Sequence, residues 1–392
     1  MLTPGKITSV LDAQYGSTAK GVISAHLTKT NLPDLLMTAN GRNSSHTVVD
    51  KGKTIVFKVL PVGTFYNGHK GYRPTVYLGP GAAFMVDDLR KEMDLVGLRK
   101  SQVLIHPRAS IVTEADIAFE NGMADFAGNL LPGVDHTSGT TAHGTTGSGA
   151  GAARAKKSLR KGRIAQDEPD LAKMLCEPEH IIDRFAQGCT GLLDGSQGFL
   201  LSLYGRFHPH CTSRPVTLAG FFSDMDLPPS LIGNVAAVAR TYPIRIASKR
   251  YFAEGRFLTW HEAQRLAGLN VPIEEIDSNS GGHYPDQEEL SWEAVSAMAG
   301  RTIEPELTTL TKLPRRIFGW SKASMLDFLR QNRPPEPFGT SLFLTFTNYL
   351  KAGTLTDFLG SSGLSTMAQD GSLMELYGSD GPETDSVKQL TP

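Results

Sequence analysis

The sequence predicts an α/β fold in which a single large domain is built on a central, mostly parallel β-sheet. Three observations lead there. Short β-branched runs alternate with stretches of helical spacing. The first such run enters a turn of small residues that leads straight into a helix. No internal repeat with a period of roughly 20 to 50 residues is visible, which argues against a solenoid or propeller.

Residues 6–11 (KITSVL) read as the first strand, and 20–28, with Val22, Ile23, Ala25 and Leu27, as the first helix. Residues 54–60 and 75–78 read as further strands, 86–96 as an amphipathic helix and 103–105 as a short strand. A Gly/Ser/Thr/Ala-rich run at 137–153 and a basic run at 154–163 cannot supply a core, so composition assigns them to a mobile linker. Leu192 and Leu193 lead into a DGSQG turn at 194–198, and an apolar run at 232–238 leads to 242–246. Past Gly353 the chain turns polar and Gly/Ser-rich, a composition that predicts a frayed tail.

Hydrophobic residues make up 40% of the 392 and charged residues 20%, enough apolar material for a sizeable core. The 39 Lys+Arg against 40 Asp+Glu leave no basic surplus to draw the chain onto a phosphate backbone, so no nucleic-acid partner is expected. Cys176, Cys189 and Cys211 form neither an even framework nor a C-x-x-C pair, which disfavours a disulfide scaffold and a zinc site. The HPHC run at 208–211 lacks a second ligand pair. With no apolar leader and no long apolar stretch, the expectation is a cytoplasmic protein without a membrane partner.

Five clusters could carry chemistry. AQYGSTAKG at 13–21 joins strand to helix; its amides and Lys20 suit phosphates, although the spacing is not that of a regular P-loop and an ordinary tight turn fits equally. NGRNSSHT at 40–47 carries His46 just before a strand. TTGSGAG at 145–151, with Arg154, Lys156, Lys157, Arg160 and Lys161 downstream, suits a phosphate or is simply a solvated basic face. Gln197 in DGSQG could read a purine edge or satisfy backbone groups. In TTLTKLPRR at 308–316, the arginines could clamp carboxylates.

Together, in this order and spacing, these clusters resemble adenylosuccinate synthetases over nearly the whole chain. Residues 13–21 are similar to the family's GAQWGDEGKG loop, 43–47 to NAGHT, 60–63 to LPSG, 145–151 to TTGRGIG, 195–198 to GAQG and 212–214 to TSS or TSR. Residues 377–382 are similar to ISTGP, which lines the donor-base pocket, and there the resemblance overrides composition. It implies one catalytic domain over 1–390 with the adenylosuccinate synthetase fold and a P-loop-like phosphate loop. It also implies a ligase in which a donor γ-phosphate activates a purine 6-oxygen and the aspartate amine then displaces phosphate.

By this resemblance Ser17, Lys20, His46 and Gln197 are the catalytic residues. Ser17, Thr18, Ala19, Lys20 and Gly21 hold the donor phosphates, with Asn348, Ser379 and Gly381 around its base. Ser17, Asn43, Thr146, Arg160, Gln197 and Thr212 hold the acceptor nucleotide, Arg160 reaching across a homodimer interface. Thr311 and Arg315 bind aspartate, and Ser17 with the Ser45 carbonyl lies near Mg²⁺.

Three departures refine that picture. Ser17 stands where the family has its carboxylate base, followed by Thr18 and Ala19 for an acid and a glycine. Asn348 stands where an aspartate reads guanine, and an amide suits adenine. Leu313 replaces an arginine near the ribose, while Arg315 is kept. All three resemble a phage branch of the family that joins L-aspartate to dGMP with ATP or dATP, giving N6-succino-2-amino-2′-deoxyadenylate for 2-aminoadenine DNA. A serine is a poor base at neutral pH, so it is expected to orient the purine or a water, with Asp12 or phosphate oxygens taking the proton. The rival readings are an ordinary synthetase using IMP and GTP, and a nucleotide-binding regulator without activity.

Overall fold

The computed structural model describes residues 1–131, 146–253, 256–277, 280–308 and 312–391. Its core is a nine-stranded sheet. The strands named below are β1 (Ile7–Asp12), β2 (Leu35–Thr38), β3 (His46–Asp50), β4 (Lys53–Phe57), β5 (Thr75–Leu78), β6 (Val103–Ile105) and β7 (Gly191–Gly198). They continue with β8 (Ile232–Arg240), β9 (Lys249–Ala253), β10 (Arg256–Leu258), β11 (Glu274–Asp277), β12 (Thr340–Thr345), β13 (Leu376–Ser379) and β14 (Val387–Leu390). Across the sheet the order is β14-β13-β12-β8-β1-β7-β2-β5-β6, which puts β1 at the centre. Every pairing is parallel except β13 with β14.

All six residues of β1 are buried, as a strand covered on both faces requires. The parallel strands end together, so Asp12, Gly198, Arg240 and Thr345 fall along one edge of the sheet. That edge is where open parallel sheets hold ligands.

Helix α1 (Lys20–Asn31) leaves β1 through the small-residue turn and packs on β3. Gly21 permits this contact. A Cβ there would sit 2.2 Å from the Thr47 carbonyl oxygen.

The sequence expectation for 54–60 needs correction: β4 is no member of the parallel sheet but pairs with β3 in a separate hairpin, with His46 opposite Phe57. Residues 58–60 leave the strand because the amides of Lys58, Val59 and Leu60 turn to the Glu92 carboxylate. Part of the predicted linker is ordered too: Ala150–Ser158 forms a helix, whereas 132–145 lie outside the described residues.

The tail that composition reads as frayed supplies helices Leu355–Ser361 and Leu364–Gln369 and then β13 and β14. The Tyr377 ring stacks on Phe343 with centroids 4.5 Å apart. Lys29 in α1 bonds Asp50 and Asp385, while Thr384 donates to Asp50. Burial of apolar rings and these long-range polar ties outweigh a polar composition.

Strands β9, β10 and β11 form a small antiparallel sheet beside helix Trp260–Gly268, with a satellite core of Ala253, Leu258, Ala263 and Leu266. Among the described residues no helix is long and apolar enough to cross a membrane. Because the Thr47 main chain cannot yield as a side-chain tip can, Gly21→Ala is expected to cost about 1–3 kcal/mol. The check is a lower urea midpoint with an unchanged slope.

Candidate active site

A cavity of about 950 Å³ opens along the C-terminal edge of the sheet. Its floor is the loop after β1. Asp12, 1% exposed, organises that loop by accepting from the Gln14 and Gly16 amides (2.8 and 3.2 Å), the Thr18 hydroxyl (2.5 Å) and the Lys20 ammonium (3.0 Å). The loop turns through left-handed backbone at Gly16, Ser17 and Ala19, with φ of 91°, 54° and 60°. Such alternation leaves successive N–H groups for an anion at the start of α1. The Ser17 side chain is exposed within the cavity wall.

His46 opens β3 and also lines the wall. Its Nδ1 lies 3.0 Å from the Asp194 carboxylate on β7, and the same oxygen accepts the Val62 amide. The carboxylate at Nδ1 fixes the orientation of the ring and leaves Nε2 for a group in the cavity. Beside it, Asn43 Nδ2 donates to the Thr212 hydroxyl (3.3 Å) and Gln197 Nε2 to the Asn43 carbonyl (3.4 Å). Three residues far apart in sequence thus present amide and hydroxyl groups together.

The third wall rests on Arg240, which is fully buried at the end of β8. It donates to both oxygens of Glu306 and to the Ser17 carbonyl (3.2 Å), and its guanidinium lies 3.8 Å from the Phe346 ring centroid. Tyr349 also donates to Glu306, at 2.9 Å. Burial opposes the Glu306 carboxylate, yet Arg240 and Tyr349 outweigh it and hold its pKa below the usual value. Arg315 is pulled below its usual value mainly by burial, partly offset by Glu306. Thr345 donates to the Thr18 carbonyl, so β12 and the phosphate loop are tied as well. Asn348 and Gly381 line the cavity next to this support.

Arg245 donates to the carbonyls of Gly282 and His210 and packs on Tyr15 and Phe207. Burial brings it down to about 10, still charged at neutral pH. Glu120 is the acidic side chain lining the cavity among the described residues, and its oxygens accept the Gly149 and Ala152 amides. The net field therefore favours anions.

The cavity gathers Ser17, Thr18, Ala19, Lys20, Gly21, Asn43, Ser45, His46, Thr146, Gln197, Thr212, Arg315, Asn348 and Gly381 from the sequence reading. Ser379 is not in the wall: it is buried behind it, donating to the Gly381 carbonyl. Arg160 is exposed outside the cavity, and Thr311 lies outside the described residues. The basic run is not a phosphate surface of this cavity. Lys156 pairs with Asp116, Lys157 bonds the Pro80 and Arg108 carbonyls, and Arg154 bonds the Gly81 carbonyl and Ser213. Asp12, offered as a proton acceptor, is committed to the loop and does not line the cavity. Sequence reasoning missed Asp194 as the partner of His46, although it stands in the quoted DGSQG motif, and it missed Arg240 and Glu306 entirely.

A profile of the adenylosuccinate synthetase family matches residues 9–168. The N6-succino-2-amino-2′-deoxyadenylate synthase of Vibrio phage phiVC8 is 32% identical over 354 residues, covering 87% of this chain and 85% of the relative. The chain belongs to the adenylosuccinate synthetase family. Among solved members, the cyanophage S-2L succinoaminodeoxyadenylate synthetase, bound to dGMP and to dATP as an energy donor, superposes with a TM-score of 0.74 at 27% identity. That match covers 99% of this chain and 96% of the other. The fully ligated adenylosuccinate synthetase of Plasmodium falciparum shares the fold, with a TM-score of 0.67 at 16% identity over 99% of this chain and 100% of the other.

Two outcomes test this geometry. Asp194→Asn removes the anchor of the His46 tautomer and should lower kcat about 10- to 100-fold with little change in any KM. Arg240→Met strands Glu306 against apolar rings and should destabilise the synthetase fold by about 3–5 kcal/mol. The double variant Arg240→Met/Glu306→Gln should recover most of that loss in chemical denaturation.

Proposed function

We propose that residues 1–390 act as one catalytic unit that joins L-aspartate to C6 of dGMP, using ATP or dATP and releasing phosphate. The purine O6 attacks the donor γ-phosphorus and ADP or dADP leaves. The aspartate amine then attacks C6, and phosphate departs with O6 while the amine gives up a proton. The product is N6-succino-2-amino-2′-deoxyadenylate. The observation that carries the reading is Ser17, a small neutral side chain exposed in the cavity wall where the family resemblance places a carboxylate. Its size leaves room for the 2-amino group of guanine beside N1.

Ser17 to Gly21 and Lys20 bind the donor phosphates, and Asn348 and Gly381 meet its adenine, with Ser379 supporting Gly381 from behind. Asn43, Thr146, Gln197 and Thr212 hold dGMP, and apolar Leu313, also in the wall, accepts a ribose without a 2′-hydroxyl. Arg315, with Thr311, binds aspartate. His46 steadies charge on the transferring phosphoryl group, and Ser17 orients the N1 edge while a donor phosphate oxygen accepts its proton. Arg160, exposed on the surface, completes the nucleotide site of a homodimer partner.

No group of three His, Cys, Asp or Glu side chains is gathered for a metal among the described residues. The Ser17 hydroxyl and the Ser45 carbonyl are hard neutral oxygens, a donor set that fits Mg²⁺ held jointly with the donor phosphates. When bound, Mg²⁺ neutralises charge on those phosphates.

The test is phosphate release by purified protein with Mg²⁺ and L-aspartate. Release that requires dGMP with ATP or dATP is expected; release with IMP and GTP would refute the assignment. An Asn348→Asp variant should move the preference for ATP over GTP toward GTP by about 10- to 100-fold, the worth of one misread base edge. Competition between the two donors measures it.

A further inference from the structure

We propose that Phe346 is the stacking platform for the purine of the nucleotide donor, with Arg240 supporting the ring from behind. The proposal rests on the functional reading above and deepens it, because Asn348 and Gly381 offer that base hydrogen-bonding groups but no aromatic face. A purine that leaves water also needs cover for its faces, and stacking on an aromatic ring supplies it whatever the base. Phe346 follows β12 and lines the cavity together with Asn348, Tyr349 and Gly381. The Thr347 hydroxyl donates to the Ser379 carbonyl at 3.1 Å, which docks this turn against the end of β13, two residues before Gly381.

The distances around the ring show which face is left. The Arg240 guanidinium carbon lies 3.8 Å from the ring centroid, a separation reached only above a face, since an atom touching the edge stands farther from the centre. Tyr349 packs T-shaped, 5.2 Å between centroids, and its own centroid is 5.6 Å from the same guanidinium. These three separations place Tyr349 beside the ring, on the side of Arg240. Neither residue takes the opposite face, and the half-buried ring lines the cavity. The backbone holds it there at a cost: φ at Phe346 is 57°, in the left-handed region that bulky residues avoid. Its carbonyl accepts from the Thr241 hydroxyl (2.8 Å) and the Tyr349 amide (2.9 Å), which fixes that conformation. The ring sits on the donor side of the cavity. Thr345, just before it, donates to the Thr18 carbonyl at 2.9 Å, and Arg240 behind it donates to the Ser17 carbonyl, both in the phosphate loop. Asn43, Gln197 and Thr212 form a separate bonded cluster.

The test is donor kinetics with dGMP, L-aspartate and Mg²⁺ saturating. Phe346→Ala should raise the KM for ATP about 10- to 100-fold, the worth of stacking one base. The loss should not extend to the KM for dGMP or for L-aspartate. Phe346→Tyr keeps the ring and should recover most of it, whereas Phe346→Leu keeps bulk without a π face and should fall between. Measured as competitors of ATP, ADP should weaken by the same factor while inorganic tripolyphosphate, which carries no base, keeps its affinity; a distorted phosphate loop would weaken both. Circular dichroism checks folding, and if the Ala variant does not fold, the comparison of Leu with Tyr decides. An unchanged KM for ATP in folded variants, a rise confined to dGMP, or an equal loss of ADP and tripolyphosphate overturns the proposal. An unmodified enzyme that turns over IMP with GTP instead overturns the functional reading, and the Phe346→Ala loss read on GTP then decides the stacking by itself.

Discussion

Asp12 is the group on which the site depends. It ends the central strand and accepts four hydrogen bonds, from two amides, a hydroxyl and an ammonium. Those bonds hold Ser17 and Ala19 in left-handed backbone that a residue with a Cβ adopts only at some cost. Two neighbouring strands share the task. Arg240 at the end of β8 holds the Ser17 carbonyl, and Thr345 at the end of β12 holds the Thr18 carbonyl. Phosphoryl transfer asks a protein for position and fixed charge more than for covalent chemistry, and a loop tied to three strands supplies both before substrate arrives.

The same edge separates a charged framework from the neutral residues that line the cavity. His46 with Asp194, Lys20 with Asp12, and Arg240 with Glu306 are pairs whose members lie on different elements, and together they define the charge pattern. Ser17, Leu313 and Asn348 are neutral and face the cavity between those pairs. A substitution at any of these three positions changes the cavity wall without removing a partner from the charged framework.

Much of this was legible in the sequence, and the misses share a cause. β1, α1 and β8 are visible because β-branched and apolar residues recur along them at strand or helical spacing. The clusters at 13–21, 40–47 and 194–198 stand out because small and polar residues interrupt such runs. The strand expected at 54–60 was assigned to the parallel sheet because its sequence pattern does not say which strand is the partner, here β3. Composition alone misreads the tail, where the family resemblance at 377–382 does not, because its order comes from Phe343, Lys29 and Asp50, each hundreds of residues distant or on another strand. Arg240 was invisible for the opposite reason: nothing local marks a guanidinium that pairs with a carboxylate 66 residues on. The basic run at 154–163 reads as a phosphate surface because composition cannot show that carbonyls and Asp116 have already claimed Arg154, Lys156 and Lys157.

The central claim is that the purine 6-oxygen is activated by phosphorylation before aspartate displaces it. It is tested most directly by supplying dGMP labelled with ¹⁸O at the 6-position, with unlabelled ATP, L-aspartate and Mg²⁺, and weighing the released phosphate. The account predicts one ¹⁸O in each phosphate and none in the succinylated nucleotide. Unlabelled phosphate formed alongside product would contradict it, because the 6-oxygen would then have left by another route.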